Sequence, residues 1–531
     1  MSRSDEPAAT APPNRRTVLR GSLGAVSTVT LPLTALAGGA PAQARSGRPR
    51  GDWGVQVGDV TASSGLVWVR ADRRARMVVE TAATESFRRV RRWPGPVVGP
   101  GTDFTGTTPL NGLPPGQEVH YRVLLADPDD PRRSSEPVHG SFRTAPADQR
   151  TDLRFLWSGD LAGQGWGINP DRGGYPIFAE MARLSPDFFL NSGDTIYADS
   201  EIPERVELPD GGVWRNITTE EKSKVAETLA EFRGNFRYNL LDDKLRNFNA
   251  RVPSVTQWDD HEVHNNWYPG ETLDDDRYTE TDVDVLAGRA RRAFSEYFPI
   301  RTLPPGDRDG RVYRAVRHGP LLDVFVLDMR TYRNANSAGR QPDERQGILG
   351  AEQLRWLKRE LSRSRALWKV IAADMPLGLT VPDGDTDFEA VAQGDPGAPL
   401  GRELQIAELL RHVKHRGITG TLWLTSDVHY TSAQHYEPSH AAFRDFAPFW
   451  EFVSGPLNAG GFPRLELDGT FGPRTAFVRA PETANVPPSA GGQFYGQVDI
   501  DADSGELTVR LREEGGAVLF RKVLRPGRVG Q

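Results

Sequence analysis

Four apolar runs in this chain each end on an acid. Leu153-Arg154-Phe155-Leu156-Trp157 leads into Ser158-Gly159-Asp160, and Phe188-Phe189-Leu190 into Asn191-Ser192-Gly193-Asp194-Thr195-Ile196-Tyr197. Ser254-Val255-Thr256-Gln257-Trp258 is followed by Asp259-Asp260-His261-Glu262, and Thr421-Leu422-Trp423-Leu424 by Thr425-Ser426-Asp427-Val428-His429. Short β-branched and aromatic runs bounded by turn residues read as buried strands. Further strands are expected at Leu321–Leu327 and Trp368–Ala373. Helices are expected over Tyr175–Leu184, 219–249, Gly350–Ser362 and Leu404–Val413. Strands alternating with helices make an open α/β sheet, and the carboxyl ends of its strands share one edge where ligand sites form. Asp160, Asp194, Asp260 and Asp427 are therefore expected to converge.

A cluster of like charges is unfavourable unless cations neutralise it, so convergence predicts metal. One Asp shared by two ions would hold them about 3.5–4 Å apart, a spacing suited to phosphoryl chemistry. Taken singly, each motif is weak: a Gly-Asp after a strand is commonly a turn or a helix cap. Four in sequence, each at a strand end, are not comfortably explained by chance. The chain has 531 residues, no cysteine and a formal charge of −6, with acids and bases mixed along its length. Thiolate ligands, disulfides and a cysteine nucleophile are thereby excluded. The mixing of acids and bases predicts no basic stripe for nucleic acid and no polybasic membrane patch, and no Gly-x-Ser-x-Gly elbow is present.

The length suggests two or three folded units. Residues 1–44 read as an export leader: Arg15-Arg16 lies in a stretch resembling the twin-arginine motif, an apolar run from Gly21 to Ala37 follows, and Ala42-Gln43-Ala44 is a small-residue cleavage site. Residues 53–146 carry several short strands, including Gly65–Arg70, Arg76–Glu80 and Glu118–Leu124, with turns between them. That pattern suggests a β-sandwich of immunoglobulin or fibronectin type III character, with Trp68 and Tyr121 as its aromatics. Residues 147–150 form a polar hinge, and 151–525 carry the acids and close on antiparallel strands after Gln493.

The order Gly-Asp, Gly-Asp-x-x-Tyr, Asp-His-Glu, Asp-x-His resembles the motif series of the calcineurin-like metallophosphoesterases. Tyr197, three residues after Asp194, is similar to the mark of the iron-containing branch shared with purple acid phosphatases. Trp258-Asp259-Asp260-His261-Glu262, Leu327-Asp328-Met329-Arg330-Thr331-Tyr332-Arg333 and Trp450-Glu451-Phe452-Val453-Ser454-Gly455-Pro456 resemble the PhoD-type alkaline phosphatase/phosphodiesterase family.

The resemblance implies a four-layer α/β/β/α metallophosphoesterase sandwich preceded by an all-β immunoglobulin/fibronectin type III-like domain. It implies two or more metal ions, with Asp194 bridging. Asp160, Tyr197 and His429 would hold the first, Fe(III) in relatives, although Zn or Mn is open because Gly159-Asp160 stands where the best-known members carry a cysteine. Asp260 and Asp427 would hold the second, Ca, Mg or Mn. His261 would contact the phosphoryl group or protonate the leaving oxygen. Arg330 is either a phosphate clamp or a structural ion-pair partner. The implied activity is hydrolysis of a small phosphate ester outside the cytoplasm, secreted, periplasmic or at the cell surface, after passage through the twin-arginine machinery, with no membrane anchor left after cleavage. A phospholipid diester is the alternative substrate, with Trp166, Trp267, Tyr268 and Trp450 as candidate lining of an apolar pocket. A non-catalytic surface protein is the third reading.

Overall fold

The computed structural model describes residues 47–301, 310–343 and 347–527. The leader expected at 1–44 lies outside them. Strands Leu153–Ser158, Phe188–Asn191 and Ser254–Thr256 run parallel in one sheet, with Phe494–Ile500 antiparallel beside the first of them. Leu507–Glu513 and Val518–Leu524 complete that side as the expected antiparallel close of the chain. A second sheet sets Leu322–Val326, Trp368–Ala372, Thr421–Thr425 and Phe449–Val453 parallel. Antiparallel strands flank both of its ends.

The two sheets pack face to face, because alternate residues of a strand point to opposite faces. Phe155, Trp157 and Leu190 meet Val324, Val370, Leu422 and Phe452 between the sheets. The intervening residues face outward. Leu156 and Phe189 pack on helices Pro176–Arg183 and Asp243–Asn249. Phe325, Ile371 and Trp423 lie under helices Gly350–Arg363 and Glu403–His415. Both faces of each strand are buried, so these strands read in sequence as unbroken apolar runs. The result is the expected four-layer α/β/β/α sandwich.

The helical stretch expected over 219–249 is divided. Helix Leu229–Asn239 begins only at Thr228, whose side chain accepts from the Glu231 amide while Glu231 accepts from the Thr228 amide. Helix Asp243–Asn249 restarts at Asp242, which accepts from Leu245 N. Two caps inside one polar run start two helices.

The N-terminal unit is the expected all-β sandwich. One sheet holds Arg91–Val98, Ala75–Ala82, Glu118–Ala126 and Val138–Arg143 in that order. Strands Val55–Gly58, Ser64–Arg70 and Thr105–Asn111 form the opposing layer, and Val67, Val69, Met77, Val79, Val123 and Leu125 fill the space between. That layer continues into the first catalytic sheet, because Val55–Gly58 pairs in parallel with Ser254–Thr256 at Gly58 and Ser254. Asp59 seals the junction by taking two 2.8 Å bonds from the buried Arg314 guanidinium. Residues 147–150 therefore join units whose sheets are hydrogen-bonded together.

Tyr121 lies in the sandwich core as expected. Trp68 does not: its indole donates to Glu296 O at 2.7 Å and packs with helix Val283–Tyr297. Trp166, Trp267 and Trp450 are also packing residues, buried to 3%, 2% and 5% exposure. Trp267 sits edge-on to Trp258, and Trp450 stacks on His435. Three of the four expected lining aromatics are therefore spent on the core, and Tyr268 is half-buried. Among the described residues, no helix is long and apolar enough to cross a membrane.

Candidate metal centre

The loops that follow the three parallel strands of the first sheet meet the loop after Thr421–Thr425 of the second. Their side chains form three overlapping groups, each with ligand atoms within 4.8 Å of one another: Asp160, Asp194 and His429; Asp194, Asp260 and His261; Asp259, Asp260 and Asp427. Asp194 belongs to the first two groups and Asp260 to the last two. All of these residues are buried.

The backbone is bent to aim them. Asp160, Asp194, Asp427 and His429 have φ of 64°, 48°, 68° and 60°. Such left-handed residues cost of order 1–3 kcal/mol each and persist only where the surroundings over-determine them. Main-chain bonds do so here: Asp160 N donates to Gly193 O, Leu161 N to Asp194 O and Ser426 N to Asp374 O. Two glycines are required by space. A Cβ on Gly193, at φ 100°, would lie 2.6 Å from Asp259 Cβ and 2.8 Å from Asp259 N. One on Gly455 would lie 2.1 Å from Asp160 Oδ2.

Tyr197 is brought into the first group, its hydroxyl 2.8 Å from His429 Nε2. His429 Nδ1 donates to Gly460 O at 2.6 Å, so Nε2 is the nitrogen with a lone pair to offer. Ser426 Oγ donates to Asp160 Oδ2 at 2.8 Å. The His261 ring lies on that of Tyr197 with 4.2 Å between centroids. Its Nδ1 is 2.8 Å from Asp199 Oδ1, and Asp199 also accepts from Asn265 N at 2.9 Å. Burial would raise the Asp199 carboxyl, but the charge and hydrogen bond of His261 together with the charge of His264 hold Asp199 below the ordinary carboxylate value. Lys222 ties this loop from beneath, donating to Tyr197 O, Ser200 O and Asn235 Oδ1 at 2.7, 2.9 and 2.8 Å.

Arg330 is buried among carboxylates. Its side chain is 0% exposed, its Nη2 lies 2.5 Å from both Asp259 Oδ1 and Glu389 Oε1, and its Nε lies 3.2 Å from Asp374 Oδ2. It sits 3.9 Å from Asp260 and 4.0 Å from Asp427. These contacts fit the ion-pair reading of Arg330, and Asp259, which also accepts from its Nε at 2.8 Å, is the acid it holds most closely. Burial and then the adjacent Asp259 drive the Asp374 carboxyl well above its ordinary value. Glu262 is not aimed at the group either. It accepts from Thr195 N at 2.6 Å and Asp259 N at 2.7 Å, locking two of the loops together, and burial pushes it up to about 7.

The donor set fits cations. Burial, followed by the charges of Asp259, Asp260 and Asp160, pushes the Asp194 carboxyl well above its ordinary value. Carboxylates so placed ionise only when positive charge is supplied. Oxygen donors with imidazole and a phenol suit hard or borderline ions.

Sequence reading missed Asp199, Asp374, Glu389 and Lys222. Asp374 was accessible by the rule used for the other acids, because it follows the buried strand Trp368–Ala372 by two residues. Asp199 and Lys222 carry no local signal, and Glu389 lies in an irregular segment.

Comparison with known proteins agrees with this geometry. The model of the PhoD-like phosphatase family matches residues 155–511, and that of the PhoD-like phosphatase N-terminal domain matches residues 37–146. Alkaline phosphatase D of Bacillus subtilis (strain 168) is 27% identical over 433 residues, covering 77% of this chain and 69% of that protein. A solved structure of PhoD superposes with a TM-score of 0.70 at 21% identity, covering 91% of this chain and 92% of that one. A purple acid phosphatase from yellow lupin (Lupinus luteus) seeds shares the fold at a TM-score of 0.57 and 13% identity, over 90% of this chain and 74% of that one. With both of its folded units and most of its length matched, this chain belongs to the PhoD-like phosphatase family, whose members are phosphoric ester hydrolases.

Proposed function

We propose that the chain is an exported phosphomonoesterase or phosphodiesterase that works with two cations sharing Asp194. The observation that carries this reading is the overlap of two buried ligand groups at that one carboxylate. Asp160, Tyr197 and His429 would complete the first position, which suits Fe(III), Zn or Mn. Asp260 and Asp427 would complete the second, which suits Ca, Mg or Mn. When bound, such cations neutralise the phosphate and make water acidic enough to attack near neutral pH.

The chain's own residues do the rest. His261 faces the space next to Asp194 and Asp260, and Asp199 fixes its Nδ1. A proton held at Nε2 then passes to the leaving oxygen, and Asp199 steadies the ring through the transfer. Lys222 keeps the segment carrying Tyr197 and Asp199 in one conformation. Burial of the whole group keeps bulk water away and strengthens each charge interaction. Export rests on Arg15-Arg16 and the Ala42-Gln43-Ala44 site. Replacing both arginines by lysine should trap precursor inside the cell.

The test compares p-nitrophenyl phosphate, bis(p-nitrophenyl) phosphate and phosphatidylcholine as substrates, before and after chelation. Loss of turnover on chelation and its return with added metal are expected. His261→Ala should keep its metal and lose about two to four orders of magnitude in rate. A chain inert towards every ester whatever metal is supplied would overturn the enzymatic reading. A metal-free, poorly folded His261→Ala would make that residue a ligand instead.

A further inference from the structure

The outer face of the N-terminal sandwich sets arginines beside exposed apolar residues. Cross-strand register lines up three rows on it. Arg92, Glu80, Arg122 and His139 form the first. Pro94, Val78 and Leu124 form the second, and Val97, Arg76 and Ala126 the third. An apolar stripe thus runs between two rows that bear arginine.

Arg92 and Arg122 share the buried Glu80 at 2.7 Å each, so that carboxylate is already balanced by two cations. Arg88, Arg89 and Arg91 extend the positive edge, and with Arg76 and Arg92 they are exposed. From 87 to 98 there are four arginines and no acid, in a chain whose net charge is −6. The apolar residues of this face also reach solvent. Val90 and Val97 are both 39% exposed, and they are two of the five large exposed hydrophobics among the described residues. The arginines are not all loose: Arg91 lies 3.8 Å over the Trp93 ring and Arg122 4.7 Å over Phe87.

We propose that this face docks the enzyme on an anionic phospholipid surface. A purely anionic polymer would engage the arginines but leave the Pro94–Val78–Leu124 stripe and Val97 facing water. A bilayer interface answers both, with phosphate headgroups for the cations and the acyl boundary for the exposed valines. Docking is independent of the metal centre, and it sets the enzyme beside phosphate-bearing substrate without using any catalytic side chain.

The experiment uses the full-length chain and a variant carrying Arg76→Glu, Arg88→Glu and Arg89→Glu. These positions are exposed and take no part in the Glu80 pairing, and both proteins carry the same leader, so any difference reads the sheet face. Co-sedimentation is measured with vesicles of phosphatidylcholine alone and with 30 mol% phosphatidylglycerol. The wild type should bind the anionic vesicles at least about tenfold better than the neutral ones, and raised salt should weaken that binding. The triple variant should lose that preference and bind both vesicles alike, while hydrolysing p-nitrophenyl phosphate at the wild-type rate. Val97→Ser, which removes the apolar contact and adds no charge, should weaken vesicle binding without altering retention on heparin. Equal binding of wild type and triple variant would overturn the proposal. So would wild type retained on heparin or polyphosphate but absent from the vesicle pellet, which would make the face a polyanion site instead.

Discussion

Gly193→Ala is the sharpest probe of how the metal centre is held. The glycine combines φ of 100° with a Cβ position 2.6 Å from Asp259 Cβ, 2.8 Å from Asp259 N and 2.9 Å from Trp258 C. An L side chain in that backbone region costs about 1–2 kcal/mol. The clash is largely with backbone, which cannot rotate away, and overpacking of this kind adds about 1–3 kcal/mol. Together they come to about 3 kcal/mol, or roughly 4 °C of thermal midpoint for a unit the size of residues 151–525. Relief of the clash moves Asp194 away from the segment that carries Asp259 and Asp260, so the two shared ligand groups are pulled apart. A displacement of about 1 Å at a reacting centre costs on the order of a hundredfold in rate.

Gly211→Ala supplies the control. Gly211 also has positive φ, 83°, but nothing lies within 4 Å of its Cβ position. It bears the conformational cost alone. The assay is thermal unfolding, metal content after dialysis and turnover of p-nitrophenyl phosphate, for both variants beside the wild type. Gly193→Ala should be the less stable, hold less metal and turn over more slowly. Indistinguishable variants would refute the claim that the Gly193 contact sets the spacing of the acids.

Three further outcomes follow from the same geometry. Tyr197→Phe removes only the oxygen 2.8 Å from His429 Nε2; it should weaken retention of the first metal and, if that ion is ferric, abolish a visible charge-transfer band, and unchanged spectrum, metal content and rate would exclude the tyrosine as a ligand. Arg330→Met strands Asp259, Glu389 and Asp374 without their cation; a loss of about 3–5 kcal/mol is expected in denaturant unfolding, whereas a fully stable variant with only a raised KM would restore the clamp reading. Glu451 accepts from Leu377 N at 2.7 Å and Tyr436 OH at 2.6 Å, and burial pushes its carboxyl from 4.5 up to about 7. The folded state therefore favours the protonated form, and its advantage fades as pH rises from 4.5 through 7, by about 3 kcal/mol in all. Glu451→Gln should accordingly gain stability over the wild type at pH 8 and not at pH 5, read as the difference in thermal midpoint.

Much of the architecture is local in origin and could be read from the chain. A strand buried on both faces must be apolar throughout, and it must end where the chain leaves the sheet, so the Gly-Asp, Asp-His and Asp-x-His steps at Asp160, Asp194, Asp260 and Asp427 stand out as soon as the strands are recognised. The alternation of strands and helices, the sandwich before residue 147 and the helix faces around Leu354, Leu357 and Leu361 follow from the same periodicities.

What depended on tertiary structure is which distant groups meet. Trp68 alternates into place like any sandwich residue, yet it packs on helix Val283–Tyr297 because its sheet runs on into the catalytic one through Gly58 and Ser254. Arg330 lies in a motif of the PhoD type, but its partners Asp259, Asp374 and Glu389 come from three separate segments, and only their enclosure favours the ion-pair reading over the clamp. Asp199 lies in an irregular segment and Lys222 at the end of the single-turn 3-10 helix Glu220–Lys222, both too short for a period to mark a side chain as inward. Their roles come from the paths of those segments across the metal centre, which puts Asp199 against His261 Nδ1 and Lys222 under Tyr197. Sequence patterns record which face of an element is buried; the pairing of charges across elements is set by the way those elements pack, and no local pattern encodes it.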